Sequence, residues 1–327
     1  MDEKINGYIS EMKTGAVTPD EISNAEFLTE EEQKYILTEY SNFLEKKKES
    51  SEVKIYSSDP IDKQTIMYTW GTLQADKEFS PIQPHTFAVL AGATSGGKTA
   101  FSFDMALKNA SSGIRVLYIS LEMTSQQIIT RIARSYSGIT KEMWRDKSLI
   151  SEQQRNAYKR KMAEIKHKEN LEVHGFGKGV VPTIDLILDT IEGKNPQLVF
   201  VDNMDLISLS DEKRIEHEQI VSRKFMGFTN EAKIPIILIH HIKKTKDKTL
   251  IESIRGSAKL TDDADAVYIC SRKMNREDDL SPEDRAAFML IEKKDREFGE
   301  GGIHRFYFNK GTFVDNYKGE RQAGFNN

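Results

Sequence analysis

Cysteine is nearly absent. Cys270, inside DAVYIC, is the only one in 327 residues. A single cysteine closes no disulfide within the chain and builds no thiolate metal cluster, so it reads as a small apolar strand residue. Long apolar runs are lacking too. No stretch approaches the roughly 20 residues that span a bilayer. The first ten residues, MDEKINGYIS, lack the basic-then-apolar order of a secretory leader. The expectation is a soluble, cytoplasmic chain with no membrane partner. An excess of positive charge is also missing: the formal net charge is −4. A chain basic all over is excluded, while a local basic patch able to hold nucleic acid is not. Internal repeats and low-complexity tracts are absent.

What is present falls into two regions. The length suits one large α/β domain with a small appendage. Residues 1–55 are expected to be a helical appendage and linker, and residues 56–327 the main domain. In LTEEEQKYILTEYSNFLEKKKESS, Thr29 and Glu32 match a capping box, with acids in the first turn and lysines in the last. Ile36, Tyr40, Phe43 and Leu44 fall on one helical stripe. From about Thr86 short apolar runs alternate with helical stretches. TFAVLA, RVLYIS, QLVFVD and PIILIH read as strands buried on both faces of a parallel sheet, with helices between them. That alternation predicts a doubly wound α/β domain. After Asp262 the runs DAVYICSR, AAFMLIEKKD, IHRFYFNKG and TFVDN predict strands joined by tight turns, an antiparallel extension of the sheet. KEMWRDKSLISEQQRNAYKRKMAEIKHKEN reads as a charged helical insertion.

One stretch carries specific chemistry. GATSGGKT places Gly92, Gly97, Lys98 and Thr99 in the pattern G-x-x-x-x-G-K-[ST], after an apolar strand and before a helix. The glycines of such a loop let backbone N–H groups turn inward around phosphate oxygens. The helix N-terminus adds partial positive charge. The nucleotide cradle is assigned to Gly92, Ser95, Gly96, Gly97, Lys98, Thr99 and Ala100. Lys98 reaches the β- and γ-phosphates, and the Thr99 hydroxyl ligates Mg²⁺, so ATP and Mg²⁺ are the expected cofactors. The metal also needs an acid at a neighbouring strand end. Asp202, closing QLVFVD, is that candidate; Asp205 lies past the strand. Glu122 follows another strand in RVLYISLEM. It can orient and deprotonate an attacking water, or supply charge to the helix that TSQQ begins.

Together these residues resemble the RecA-fold motor domain of DnaB-like replicative helicases, in particular the phage-type members, from about Pro84 to Asp315. LAGATSGGKTAFSFDMA is similar to that family's P-loop, VLYISLEMTSQQIITRIAR to its second strand and LVFVDNMDLI to its Walker B strand. The resemblance implies a RecA-like P-loop NTPase core with a mostly parallel central sheet. It makes Glu122 the catalytic base and supports Asp202. PIILIHHIKK resembles the strand ending in a γ-phosphate sensor, with His241 the better match and His240 second. IEKKDREFGEGG resembles the segment holding a Lys-x-Arg pair, here Lys294 and Arg296, that acts as an arginine finger in the site of an adjacent subunit; without the family it reads as a solvated charged turn. The resemblance therefore implies a homo-oligomer, a hexameric ring, working on single-stranded DNA with a helicase loader and a primase as partners, and a phage origin. Two features depart from the pattern. The usual lead-in to the first strand is not recognisable in IDKQTIMYTWGTLQADKEFSPIQPH. The large N-terminal domain of the bacterial proteins is expected to be missing.

After the sensor strand comes HHIKKTKDKTLIESIRG, with Lys243, Lys244, Lys246, Lys248 and Arg255. Closely spaced lysines with few aromatics suit contact with a DNA backbone rather than base reading. Alone, such a run is also an ordinary solvated loop. The leading reading is an ATP-dependent ring helicase that moves on single-stranded DNA and unwinds duplex DNA during replication. Two others share the fold: a RecA-like DNA-binding ATPase that pairs strands or remodels a filament, and a regulatory protein that binds ATP as a switch. A metabolic kinase fits less well, because no lid or acceptor-binding segment is visible.

Overall fold

The computed structural model describes residues 3–14, 19–25, 28–51, 68–176, 180–208, 214–242, 262–272, 281–297, 299 and 301–317. The chain divides into two compact units, Met1–Thr65 and Ile66–Asn327.

The first unit is three helices rather than the one expected: α1 (Glu3–Thr14), α2 (Pro19–Ser23) and α3 (Glu30–Ser51). The capping box at the start of α3 is present. Thr29 N donates to Glu32 Oε2 at 2.7 Å, and Glu32 N donates to Thr29 Oγ1 at 3.3 Å. Ile36 of the expected stripe is buried among Ile5, Ile9, Met12, Ile22 and Leu28, with Tyr40 packed against them. The side chains of Phe43 and Leu44 lie outside the described set. The unit thus has a core of its own. The helices preceding α3 escaped sequence reading because each is short and contributes only a few apolar residues, too few for a clear period.

The second unit is a nine-stranded sheet with helices on both faces. Its elements in chain order are α4 (Leu73–Glu78), β1 (Phe87–Ala93), α5 (Lys98–Ser111), β2 (Val116–Ser120), α6 (Ser125–Tyr136), α7 (Lys141–Arg145), α8 (Glu152–Lys166), β3 (Leu171–Gly175), α9 (Ile184–Lys194), β4 (Leu198–Asp202), α10 (Arg214–Ala232), β5 (Ile236–Ile242), β6 (Ala266–Ser271), α11 (Pro282–Ala286), β7 (Ala287–Asp295), β8 (Ile303–Asn309) and β9 (Thr312–Val314). Strand order is β3-β2-β4-β5-β1-β6-β7-β8-β9. The strands from β3 to β6 pair in parallel, and β6 through β9 pair antiparallel, as the sequence predicts.

Each predicted strand forms; β3 is an addition. Its sequence LEVHG alternates, and only Leu171 is buried, because it is the edge strand. β1 differs in having both faces covered. Ala88 and Leu90 face the layer that holds Phe101 and Phe103 of α5. Phe87, Val89 and Ala91 face Ile187 of α9 and Val221 and Phe225 of α10. Each such fully buried large apolar side chain contributes about 1.5–3 kcal/mol relative to exposure.

The antiparallel strands hold the helix behind the glycine-rich loop. Phe101 stacks on Phe288 at 4.8 Å and meets Phe306 and Phe313 edge-on. Asp104 accepts hydrogen bonds from Thr312 Oγ1 and Phe313 N. The unrecognised lead-in also has a packing role. Trp70 lies 4.2 Å from the Tyr268 ring and 5.6 Å from Phe79, and its Nε1 donates to the Ser80 carbonyl. Among the described residues no helix is long and apolar enough to cross a membrane.

Candidate active site

The carboxyl ends of β1, β2, β4 and β5 converge. Gly92 of β1 is level with His241 of β5 and Cys270 of β6. Asp202 of β4 is level with Ser120 of β2 and Ile239 of β5. Glu122 stands two residues beyond Ser120, just before α6, whose N-cap Thr124 forms a complete capping box with Gln127. The helix start is therefore satisfied by Thr124 and Gln127, without Glu122.

The loop needs its glycines for steric reasons. A Cβ on Gly92 would come within 2.8 Å of the Cys270 carbonyl, and one on Gly96 within 2.8 Å of the Ala93 carbonyl. Gly97 caps α5 at φ +91, and Ser95 has φ +62, a region costly for residues with a side chain. Cys270 is buried, as expected of an apolar strand residue, and burial pushes its thiol well up.

Lys98 is only 3% exposed. Its ammonium donates to the carbonyls of Gly92 and Ala93, both at 2.8 Å, and meets His241 Nδ1 at 3.3 Å. An ammonium has no acceptor, so Nδ1 must accept and the imidazole carries its proton on Nε2. The electrostatics agree. Burial, then the Lys98 charge, hold His241 below the usual histidine value. Burial also holds Lys98 below the usual lysine value, against the opposing pull of Cys270, Asp202, Asp205 and Glu122.

Asp202 is 3% exposed, and burial raises its carboxyl above the usual aspartate value, opposed by the hydroxyls of Thr99 and Tyr118. Tyr118 donates to Oδ2 at 3.1 Å, whereas Oδ1 has no hydrogen-bond partner among the described residues. A buried carboxylate oxygen left over beside the Thr99 hydroxyl fits a divalent cation carried in by a nucleotide.

A cavity of about 250 Å³ is lined by the loop from Thr94 to Ala100 together with Glu122, Arg131, Arg134, Lys141 and His241. A neighbouring cavity of about 660 Å³ is lined by Glu122, Asn203, Asp205, Leu206, His217 and His241 among others. Glu122 and His241 therefore stand in the wall between the two. His240 points elsewhere: it is buried, with Nδ1 3.8 Å from Asp205 Oδ1. The wall residues Arg131, Arg134 and Lys141 escaped sequence reading; the available signal was two arginines one turn apart on the helix that follows Glu122. Tyr118 also escaped, although a hydroxyl inside a fully buried strand was a visible oddity.

Lys294 and Arg296 are at the other end of the sheet. Arg296 Nη1 meets Asp265 Oδ1 at 3.1 Å, and its Nη2 donates to the Asp262 carbonyl, which also accepts from Lys294 Nζ. Burial and the neighbouring guanidinium hold Lys294 below the usual lysine value. The Arg296 N–H bonds the Asp265 carbonyl, and Asp265 N bonds that of Phe87. At about 3.3 Å per residue, Arg296 sits roughly 17 Å along the strands from Gly92. Within one chain the pair cannot reach the glycine-rich loop. Lys243, Lys244, Lys246, Lys248 and Arg255 lie outside the described residues.

A glycine-rich loop between strand and helix, an acid on β4 and a glutamate after the intervening β2 together define a P-loop ATPase site on a RecA-like sheet. The family follows from comparison. The model of the DnaB-like helicase C-terminal domain matches residues 69–314, and the chain belongs to that family. The chain is 27% identical over 268 residues to the replicative DNA helicase DnaB of Haemophilus influenzae, covering 78% of this chain and 56% of that protein. It spans about half the length of the curated relatives it matches. Among solved structures, a helicase-type ATPase domain superposes with a TM-score of 0.67 at 19% identity, over 86% of this chain and 99% of that one. A DnaB-like replicative helicase, described with its interactions with primase, superposes with a TM-score of 0.65 at 19% identity, over 94% and 77%. At that identity the two superpositions bear out the RecA-like fold.

Proposed function

We propose that the chain is an ATP-driven DNA helicase of replication that moves along single-stranded DNA as a ring, a hexamer, of identical subunits. The motor lies within residues 56–327 and the helical appendage within residues 1–55. The observation that carries the reading is the separation of the two halves of the chemistry. A complete phosphate cradle stands at one end of the sheet, and the Lys294–Arg296 pair lies roughly 17 Å away along the strands.

The work is divided between residues of two subunits. Backbone N–H groups from Ser95 to Ala100 surround the β- and γ-phosphates, and Lys98 turns from its own loop carbonyls to them. Thr99 and Asp202 would hold the magnesium ion, which when bound neutralises phosphate charge. Glu122 takes a proton from water as the water oxygen bonds the γ-phosphorus. The bond from that phosphorus to the bridging oxygen breaks, leaving ADP and phosphate. His241 offers Nε2–H to the γ-phosphate. Its ring also lines the second cavity, and Lys243 follows Ile242 directly in the chain. The loss of phosphate is thereby reported towards Lys243, Lys244, Lys246, Lys248 and Arg255, which grip the DNA backbone. Lys294 and Arg296 of a neighbouring subunit stabilise the charge that develops. The DnaB-like structure that superposes on this chain is described with primase; primase and a loader are the partners we assign. We place the protein in the bacterial cytoplasm and, from its resemblance to the phage-type members, assign it a phage origin.

The test is ATP hydrolysis with and without single-stranded DNA, with Lys98→Ala as the blank. Strong stimulation by DNA that disappears in the variant supports a DNA motor. A rate indifferent to DNA on rings already loaded onto it would move the reading to an ATP-binding switch.

A further inference from the structure

Inside the sheet beneath the cradle lies a chain of hydroxyls that the mechanism above does not use. Tyr118 is fully buried in the middle of β2, between Phe103 at 4.9 Å and Phe200 at 5.8 Å. Apolar neighbours on both sides give no reason for a hydroxyl there; Phe would fill the same space. A buried O–H persists only where it is paired. Here it is paired twice. Tyr118 Oη donates to Asp202 Oδ2 at 3.1 Å and lies 2.9 Å from Ser102 Oγ. A phenol has a single proton, and that proton goes to the carboxylate. Ser102 is therefore the donor to Tyr118. Ser102 in turn lies 3.3 Å from the Thr99 carbonyl, one turn back on α5.

We infer that Ser102 and Tyr118 are positioning residues that set the distance and facing of Thr99 and Asp202, the two groups assigned to the magnesium ion; the inference rests on that assignment. The two groups belong to elements that do not adjoin in the sheet, since β5 separates β1 from β4. The hydroxyl chain crosses that gap inside the molecule, from α5 through β2 to β4. It occupies Oδ2 of Asp202 and so leaves Oδ1 as the oxygen for the metal. A carboxylate without that donor turns freely about its terminal bond and presents either oxygen, so part of the metal's binding energy is lost to orientation. Removing an outer partner of a metal ligand typically lowers metal affinity by about 10- to 100-fold.

The experiment uses the full chain and a fluorescent non-hydrolysable ATP analogue, titrated with Mg²⁺. Binding of Mn²⁺ in the presence of the same analogue, read by electron paramagnetic resonance, is a second readout independent of turnover. In Tyr118→Phe the half-saturating Mg²⁺ is expected to rise by at least about 10-fold. Affinity for the analogue without metal and the melting temperature should stay near those of the parent. Ser102→Ala should shift the Mg²⁺ requirement in the same direction by less, and it carries the test alone if Tyr118→Phe does not fold. The inference is overturned if the Mg²⁺ requirement stays within twofold of the parent. It is equally overturned if metal-free binding weakens by the same factor, since that is the mark of lost packing. Asp202→Ala separates the inference from its foundation. If that variant leaves the Mg²⁺ requirement unchanged, the metal assignment itself fails. If it raises the requirement while Tyr118→Phe does not, only the brace fails.

Discussion

The two ends of the central sheet hold charged groups in opposite ways. At the carboxyl ends of β1, β4 and β5, Lys98, Asp202 and His241 are withdrawn from water, and burial is the leading cause of each pKa displacement. At the opposite end Arg296 has half its side chain in solvent and rests on Asp265 and a backbone carbonyl. The first set is built so that its partners must be the atoms of a ligand. The second is held by contacts typical of a surface, where an ion pair is worth about 1 kcal/mol or less, and can leave them cheaply. The lesson is that a buried cluster prepares a site within the chain, while an exposed and weakly tethered cation is available to a site elsewhere. A ring of identical subunits uses both ends at once.

That comparison can be broken most sharply at Arg296. Arg296→Ala should lower ATP turnover on DNA by about 10³-fold or more, with nucleotide affinity within twofold of the parent. Mixing it with Lys98→Ala should restore part of the activity, because some interfaces then join an intact cradle to an intact arginine. A mixture no more active than its components would sink action in trans.

Next in size is Glu122→Gln, which keeps the shape of the side chain and removes the base. Turnover should fall by about 10²- to 10⁴-fold while ATP remains tightly bound. A fall under threefold would return Glu122 to the role of a charge near a helix start.

The smallest effect tests the electrostatics of the buried end. In Lys98→Ala, His241 loses the neighbouring cation, and its pKa should move up towards the ordinary histidine value. The sign for stability follows. A histidine whose folded pKa is depressed binds fewer protons in the folded chain than in the unfolded one. Stability therefore falls as pH drops through the unfolded value of about 6.5. That loss should shrink in the variant. Imidazole chemical shifts measured across the pH range check it, and an unchanged His241 titration would mean that Lys98 does not touch it in solution.

Much of this was legible in the residue order. The loop from Gly92 to Thr99, the acid closing LVFVD and the alternation of strand and helix were readable because they depend on local requirements: glycine where a Cβ would strike a carbonyl, apolar residues wherever a strand is covered on both faces. β3 and the first two helices were not readable, because an edge strand and short helices bury too few residues to leave a period. The lead-in around Trp70 was opaque for another reason: its aromatic residues make sense only against Tyr268, nearly two hundred residues later in the chain.

The sequence by itself determined that this chain folds into a P-loop sheet and which residues form the phosphate cradle, since both follow from spacings within a few residues. Only the tertiary structure decided that Tyr118 grips Asp202, that His241 is the neutral acceptor of Lys98 and that Arg296 faces away from its own nucleotide site. Each of those facts depends on which strands lie side by side and in which direction they run, and that is settled by packing of the whole sheet.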